Sequence, residues 1–284
     1  MTGIQSGVLA FVLWGLVPLF WSQLNQHNAW ELVAHRAAWS FPLLLGVVLS
    51  QRSGREFLAA LRTPKLWGTT LLLSANWLLY IYLTTNKRFV EASLGYFIVP
   101  LLNTLLGVAF LGEKLRPLQK VSIGLAGVAL LFPLVDLKYF PWAALAIAFL
   151  WSFYGFVRKG VGVEGTVALT AETAIAFPAA LGFLLWKHAA LGSPREALLL
   201  VGTGPITVGP LLLFGHAVTR VPLSTLGLLQ YLGPTITFVC GQIIAPEPIP
   251  WYRAAMLGTV WLAILVYIYD SLQHRRATTE RNKP

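Results

Sequence analysis

The stretch EASLGYFIVPLLNTLLGVAFLG, residues 91–112, decides the fold. After Glu91 it carries no charge, and a helix of this length at 1.5 Å per residue matches a hydrocarbon core about 30 Å thick. A membrane barrel would instead show segments of about ten residues alternating in polarity, and this run is continuous. Further apolar runs cover residues 4–24, 31–50, 66–85, 118–134, 141–157, 166–186, 197–218, 223–245 and 251–270. An all-α membrane protein with ten transmembrane helices is the expectation.

Composition agrees. The chain has 284 residues, of which 56% are hydrophobic and 11% charged, against about 25% charged in a soluble domain. Mean hydropathy is +0.68, which excludes a water-soluble globule. The single cysteine, Cys240, lies inside an apolar run, so neither an intrachain disulfide nor a thiolate metal cluster is open to it. No basic residue precedes the first run, and Trp21-Ser22-Gln23 offers no small-residue cleavage site, so that run is expected to stay in the mature protein.

The net charge is +10, but Lys and Arg occupy short gaps between apolar runs, with no basic helix or aromatic platform suited to nucleic acid. Their distribution sets orientation instead, because positive loops stay in the cytoplasm. Alternate connections hold fourteen Lys and Arg on one side and six on the other, leaving Arg36 inside a span. Both termini are therefore expected in the cytoplasm. The connections are too short for a soluble catalytic domain.

Internal similarity divides the chain. Trp14 recurs as Trp151, 137 residues on, and Phe41-Pro42 as Phe177-Pro178, 136 on. Pro100 and Glu113, thirteen apart, recur as Pro234 and Glu247 at the same interval. Ordered matches at a nearly constant offset make residues 1–138 and 139–284 two five-helix repeats. Five is odd, so the second repeat enters the membrane inverted. Inverted repeats give one fold two related conformations, each open to one side, around a central cavity holding substrate near the midplane.

Polar groups inside spans are costly and usually face protein or a water-filled cavity. Asn76, Asn103, Glu172, Gln230, His35 and Arg36 lie at similar depth, as one cavity would need. Each amide could equally serve only to join helices, at about 1 kcal/mol. Tyr96, Pro100, Asn103 and Gly107 share one helical stripe, as do Gly227, Gln230, Pro234, Thr237 and Gly241. Pro100 and Pro234 are candidate gating points or static kinks. Asn76 and Tyr80 share a face beside Trp77, and aromatics at that depth favour amphiphilic or aromatic solutes over inorganic ions. Arg36 or His35 could bind a substrate carboxylate and Glu172 an amine or proton; alternatively Glu172 pairs with Arg36 and His35 across the repeats. Glu91 suits a helix N-terminus, and His216 beside a loop reads as structural.

There is no G-x-x-x-x-G-K-[ST], no H-E-x-x-H and no G-x-S-x-G. An enzyme is not expected, nor a cofactor, nor a metal among the five histidines.

Several stretches resemble a known family: Ala34-His35-Arg36-Ala37-Ala38-Trp39-Ser40, Asn76-Trp77-Leu78-Leu79, Glu91 through Leu101, Gly112-Glu113-Lys114, Tyr154 through Lys159, Leu223 through Gly227 and Gln230 through Thr235. Together they look like the RarD-like members of the EamA family, in the drug/metabolite transporter (DMT) superfamily, over nearly the whole chain. Where such proteins usually repeat Gly-Glu after helix 9, this chain has Pro246-Glu247-Pro248. The resemblance implies a ten-helix exporter of the bacterial inner membrane. It marks His35, Arg36, Asn76, Trp77, Glu91, Tyr96, Gln230 and Tyr231 as cavity or gate residues.

The expected function is export of amino acids, aromatic ones included, or similar amphiphilic metabolites, with multidrug efflux of the chloramphenicol type or a non-transporting scaffold as alternatives. Asn76, Trp77, Tyr80, Tyr96, Asn103, Gln230 and Tyr231 are the expected solute contacts. His35, Arg36 and Glu172 would serve charge recognition or coupling, and Gly95, Pro100, Gly227 and Pro234 the hinge or gate. The expected partners are a small-molecule substrate and the lipid bilayer.

Overall fold

The computed structural model describes residues 1–24, 26–85, 89–132, 140–188, 191–244 and 250–281. Regular structure among them is helical: α1 (Gly3–Trp21) with a 3-10 turn (Ser22–Leu24), α2 (Ala29–Ser50), α3 (Gly54–Ala60), α4 (Pro64–Thr85), α5 (Phe89–Leu111), α6 (Pro117–Ala129), α7 (Trp142–Lys159), α8 (Gly165–Trp186), α9 (Pro194–Val218), α10 (Leu223–Gln230), α11 (Leu232–Ile244) and α12 (Trp251–Arg281). Six spans, Gly3–Leu24, Trp30–Ser50, Leu94–Leu111, Gly165–Trp186, Pro194–Val218 and Trp251–Ser271, are long and apolar enough to cross a membrane. The repeat match at Glu247 lies outside the described residues.

Local chemistry sets the helix ends. The Asn28 side chain accepts from the Trp30 amide at the start of α2, and Ser193 with Glu196 forms a capping box on α9 behind Pro194. At the end of α5, Gly112 takes a φ of +67°, which a residue with a Cβ rarely adopts. Three elements differ from expectation. The polar connection after α2 contains α3, which buries Phe57 and Ala60 against Val167, Ala168 and Ala171 of α8. The last helix continues beyond residue 270 to Arg281. The single helix expected over 223–245 is two, α10 and α11, meeting at Tyr231. Pro234 has no N–H to give the Gln230 carbonyl, and the Tyr231 amide turns back to Leu228 O at 3.3 Å. Pro100, by contrast, stays inside the continuous α5.

Packing joins the two halves of the chain. α5 lies against α7 and α10, α2 against α8 and α9, α1 against α9 and α11, and α6 against α12. Residues matched by the sequence offset meet in pairs: the Trp14 and Trp151 rings are 5.4 Å apart, and those of Phe41 and Phe177 are 4.9 Å apart. Polar side chains inside the bundle bond mostly to backbone across helices, as Ser122 does to Ala263 O at 2.7 Å and Tyr231 to Phe97 O at 3.2 Å. The outer surface is apolar: Leu71, Leu198 and Ile243 are each at least 70% exposed, tolerable where the surrounding medium is lipid.

Candidate functional site

The aromatic residues of α1, α4, α5, α7 and α9 form one run through the bundle. Tyr96 of α5 is its centre: its ring meets Tyr80 edge-on at 5.7 Å and Trp151 at 6.5 Å. Its hydroxyl donates to Asn76 Oδ1 at 3.2 Å, while Asn76 Nδ2 donates to Ile147 O at 3.1 Å. Tyr80 continues to Trp77 at 6.0 Å, and Trp151 continues to Trp14 and Phe214 at 5.4 and 5.3 Å. Edge-to-face contacts hold such rings in fixed orientations.

At one end of this run the Arg36 guanidinium sits 3.6 Å above the Trp77 ring. Arg36 is 8% exposed, and its Nη1 has no hydrogen-bond partner; nor has Trp77 Nε1. A guanidinium on an aromatic face keeps its edge donors available. Gln230 joins through Trp151, whose Nε1 donates to Gln230 Oε1 at 3.3 Å. Arg36, Asn76, Trp77, Tyr80, Tyr96 and Gln230, drawn from α2, α4, α5 and α10, are therefore brought together.

The remaining candidates lie elsewhere. Asn103 is buried on α5 against Gly227 of α10, with Oδ1 unpartnered. Tyr231, fully buried, packs on Phe97 within the α6–α12 cluster. His35 engages Trp39 instead: its Nδ1 accepts from Trp39 Nε1 at 3.3 Å. Glu172 does not pair with Arg36. It lies 3.5 Å from Arg158 Nε and accepts from Thr69 at 2.6 Å and Tyr154 at 3.3 Å. Arg158 follows an apolar run and reads as a loop cation, yet its aliphatic stem folds inward and leaves it 1% exposed. Gly95 and Gly227 are close-approach positions: an added Cβ would fall 2.8 Å from Ile147 and 3.0 Å from the Pro100 backbone. Glu91 lies in the first turn of α5, and its side chain is outside the described residues. His216 Nδ1 is 2.9 Å from Ser6 Oγ.

One contact had no signal in the sequence. The Glu113 carboxylate accepts from the Leu223 amide at 2.6 Å, the Ser224 amide at 3.1 Å and the Ser224 hydroxyl at 2.6 Å. It thus caps α10, which is 110 residues away. Lys159 stands beside it, donating to Val218 O and Val221 O; burial pushes its ammonium down, and Glu113 opposes that.

The EamA-like transporter family model matches residues 1–134. A RarD protein of Streptomyces exfoliatus is 41% identical over 99% of this chain and 92% of that relative. The chain is a RarD-like member of the EamA-like transporter family. An uncharacterized transporter of Vibrio cholerae serotype O1 is 36% identical over 95% of this chain and 93% of its own length. A crystal structure at 20% identity superposes with a TM-score of 0.74 over 97% of this chain and 98% of that one, so the two share a fold. As a family member the chain is a multi-pass membrane transporter.

Proposed function

We propose that the chain exports amino acids, aromatic ones included, or similar small amphiphilic metabolites across the bacterial inner membrane by alternating access. The observation that carries this reading is the buried Arg36 guanidinium on the Trp77 ring, with an N–H edge free, at the end of an aromatic run. A carboxylate attached to an apolar or aromatic body matches both features: the carboxylate takes the guanidinium edge and the body takes Tyr80, Tyr96 and Trp151. Asn76 and Gln230 hold Tyr96 and Trp151 in place. Glu172, engaged by Arg158, Thr69 and Tyr154, serves the bundle and not the solute. Asn103 and Tyr231 belong to the packing of α5 and α10.

Ten spans arranged as two inverted repeats, 1–138 and 139–284, would supply the alternation. The meeting of Trp14 with Trp151 and of Phe41 with Phe177 supports this, since residues near a pseudo-twofold axis face their own equivalents. The family match ending at residue 134 supports the same division. The lysine and arginine count places both termini in the cytoplasm.

The test is uptake and efflux in liposomes containing the purified chain, using labelled phenylalanine, leucine and glutamate beside chloramphenicol. Saturable amino-acid flux is expected, falling at least tenfold in Arg36→Ala and in Trp77→Ala with unchanged melting behaviour. Flux of chloramphenicol alone, unaffected by Arg36→Ala, would replace this reading with efflux of neutral drugs.

A further inference from the structure

A second group of ionisable side chains lies away from the aromatic run, where the start of α2 meets the start of α9. His27 Nε2 is 2.7 Å from Glu196 Oε1 of α9, and His27 Nδ1 is 3.4 Å from Glu31 Oε1 of α2. The same Glu31 oxygen is 3.9 Å from His35 Nε2. We propose that His27, held between Glu31 and Glu196, is a proton-binding site that locks the outer ends of α2 and α9 together, so that acid on that face holds the gate shut. This rests on the transport reading and orientation above, which place these helix ends on the external face.

The chemistry of the ring decides the ligand. A carboxylate oxygen lies at ion-pair distance from each nitrogen of His27, and although Nε2 makes no in-line hydrogen bond, only an imidazolium carries the positive charge and the second N–H that hold both. A neutral ring could donate to one carboxylate and would present a lone pair to the other. With a proton bound, His27 therefore joins α2 to α9; without it, two carboxylates from different helices are left close together and repel. The two carboxylates are the more accessible members, at 23% and 27% side-chain exposure against 10% for His27, so the proton enters from water at their edge. Nothing else is consumed: the proton binds from that water when the helix ends close and returns to it when they part.

His35 lies beside the site: Trp39 Nε1 can only donate, so His35 Nδ1 is bare, and its Nε2, 3.9 Å from Glu31, has no hydrogen-bond partner. The next residue along α2 is Arg36, on the Trp77 ring. α1 contributes no ionisable side chain. From α9 come Arg195, which donates to Gln23 Oε1 at 3.1 Å, and, at its far end beside Ser6, His216. At the end of α8 nearest the site stand Lys187, whose Nζ is 5.4 Å from the Trp186 ring, and His188, both exposed. Glu172 of α8 is engaged by Arg158. On α4, Lys65 is bonded to Gly160 O, and Tyr80 lies in the aromatic run; Tyr82 is the other tyrosine there. Arg55, Glu56 and Arg62 follow the opposite end of α2, about 30 Å away along its axis.

The experiment measures the gate without needing to know the solute. Spin labels are placed on lipid-facing positions beside the site, Trp30→Cys and Leu198→Cys, with Cys240→Ser, in the full chain reconstituted in nanodiscs. Distances are read at pH 5 and pH 8. The expected result is one short distance at pH 5 and a growing longer population at pH 8. His27→Asn should abolish the response, and Glu196→Gln should move its midpoint. In liposomes, acid on the external face should slow labelled phenylalanine flux at least fivefold in the parent chain and less than twofold in His27→Asn. A parent distance that does not change with pH, or a His27→Asn protein that responds as the parent does, would overturn the proposal. A distance change with no amino-acid flux at all would instead overturn only the substrate reading.

Discussion

Two buried arginines, each with N–H groups that make no hydrogen bond, differ in what lies beside them: a carboxylate for Arg158 and an aromatic ring for Arg36. Arg158 has a carboxylate, a backbone carbonyl and a helix packed around it, so removing it leaves Glu172 enclosed without its cation. Breaking a buried pair from one side costs about 3–5 kcal/mol, and Arg158→Ala should lower thermal stability in detergent by that order, with Glu172→Gln comparable because it leaves the Arg158 guanidinium enclosed and charged. Arg36 has a ring beneath it and an open N–H, so its loss should be read in flux before stability. Glu113→Ala strips acceptors from two α10 amides and a hydroxyl; a charge-assisted capping contact of this kind is worth about 2 kcal/mol. Denaturation of the reconstituted chain should show a loss of that size, and an unchanged midpoint would mean that water replaces the cap.

At the scale of elements, proline in equivalent positions has two outcomes. α5 absorbs Pro100 and runs on, whereas the α10–α11 span breaks at Tyr231 below Pro234. The difference gives the second half a jointed helix beside Gln230, which bears on the aromatic run through Trp151. Pro234→Ala restores the missing donor and should join α10 to α11; saturable flux is expected to drop severalfold while folding stays intact. Gly95 and Gly227, anticipated as hinges, lie where α5 touches α7 and α10. Gly95→Ala should therefore lower melting temperature, because a Cβ must push Ile147 aside in a close-packed contact. A proline and a glycine at helical spacing were legible as special positions, but which one bends and which one packs depends on the neighbouring helix.

For the whole molecule, the orientation argument has a direct check. A fluorescent-protein fusion at the C-terminus should fold and fluoresce, and an alkaline phosphatase fusion there should be inactive; the reverse pattern would invert the assignment of faces, and with it the direction of the His27 gate. Apolar run length and loop charge were enough to give a helical membrane protein, because a bilayer allows few solutions to backbone hydrogen bonding and each leaves a one-dimensional signature; the family it resembles was legible only in motifs such as Asn76 through Leu79 and Glu91 through Leu101. Asn76, Trp77, Tyr80, Tyr96 and Gln230 were legible as a group for the same reason: polar and aromatic residues at matched depth stand out against lipid-soluble neighbours. Partnerships were not legible. That Glu172 takes Arg158, that Glu113 caps a helix 110 residues on, and that His27 reaches Glu196 are matters of which helices touch and how far each is rotated. Those choices follow from packing small and large side chains across the two halves, which only the tertiary structure decides, because contact energies depend on distances that linear sequence does not contain.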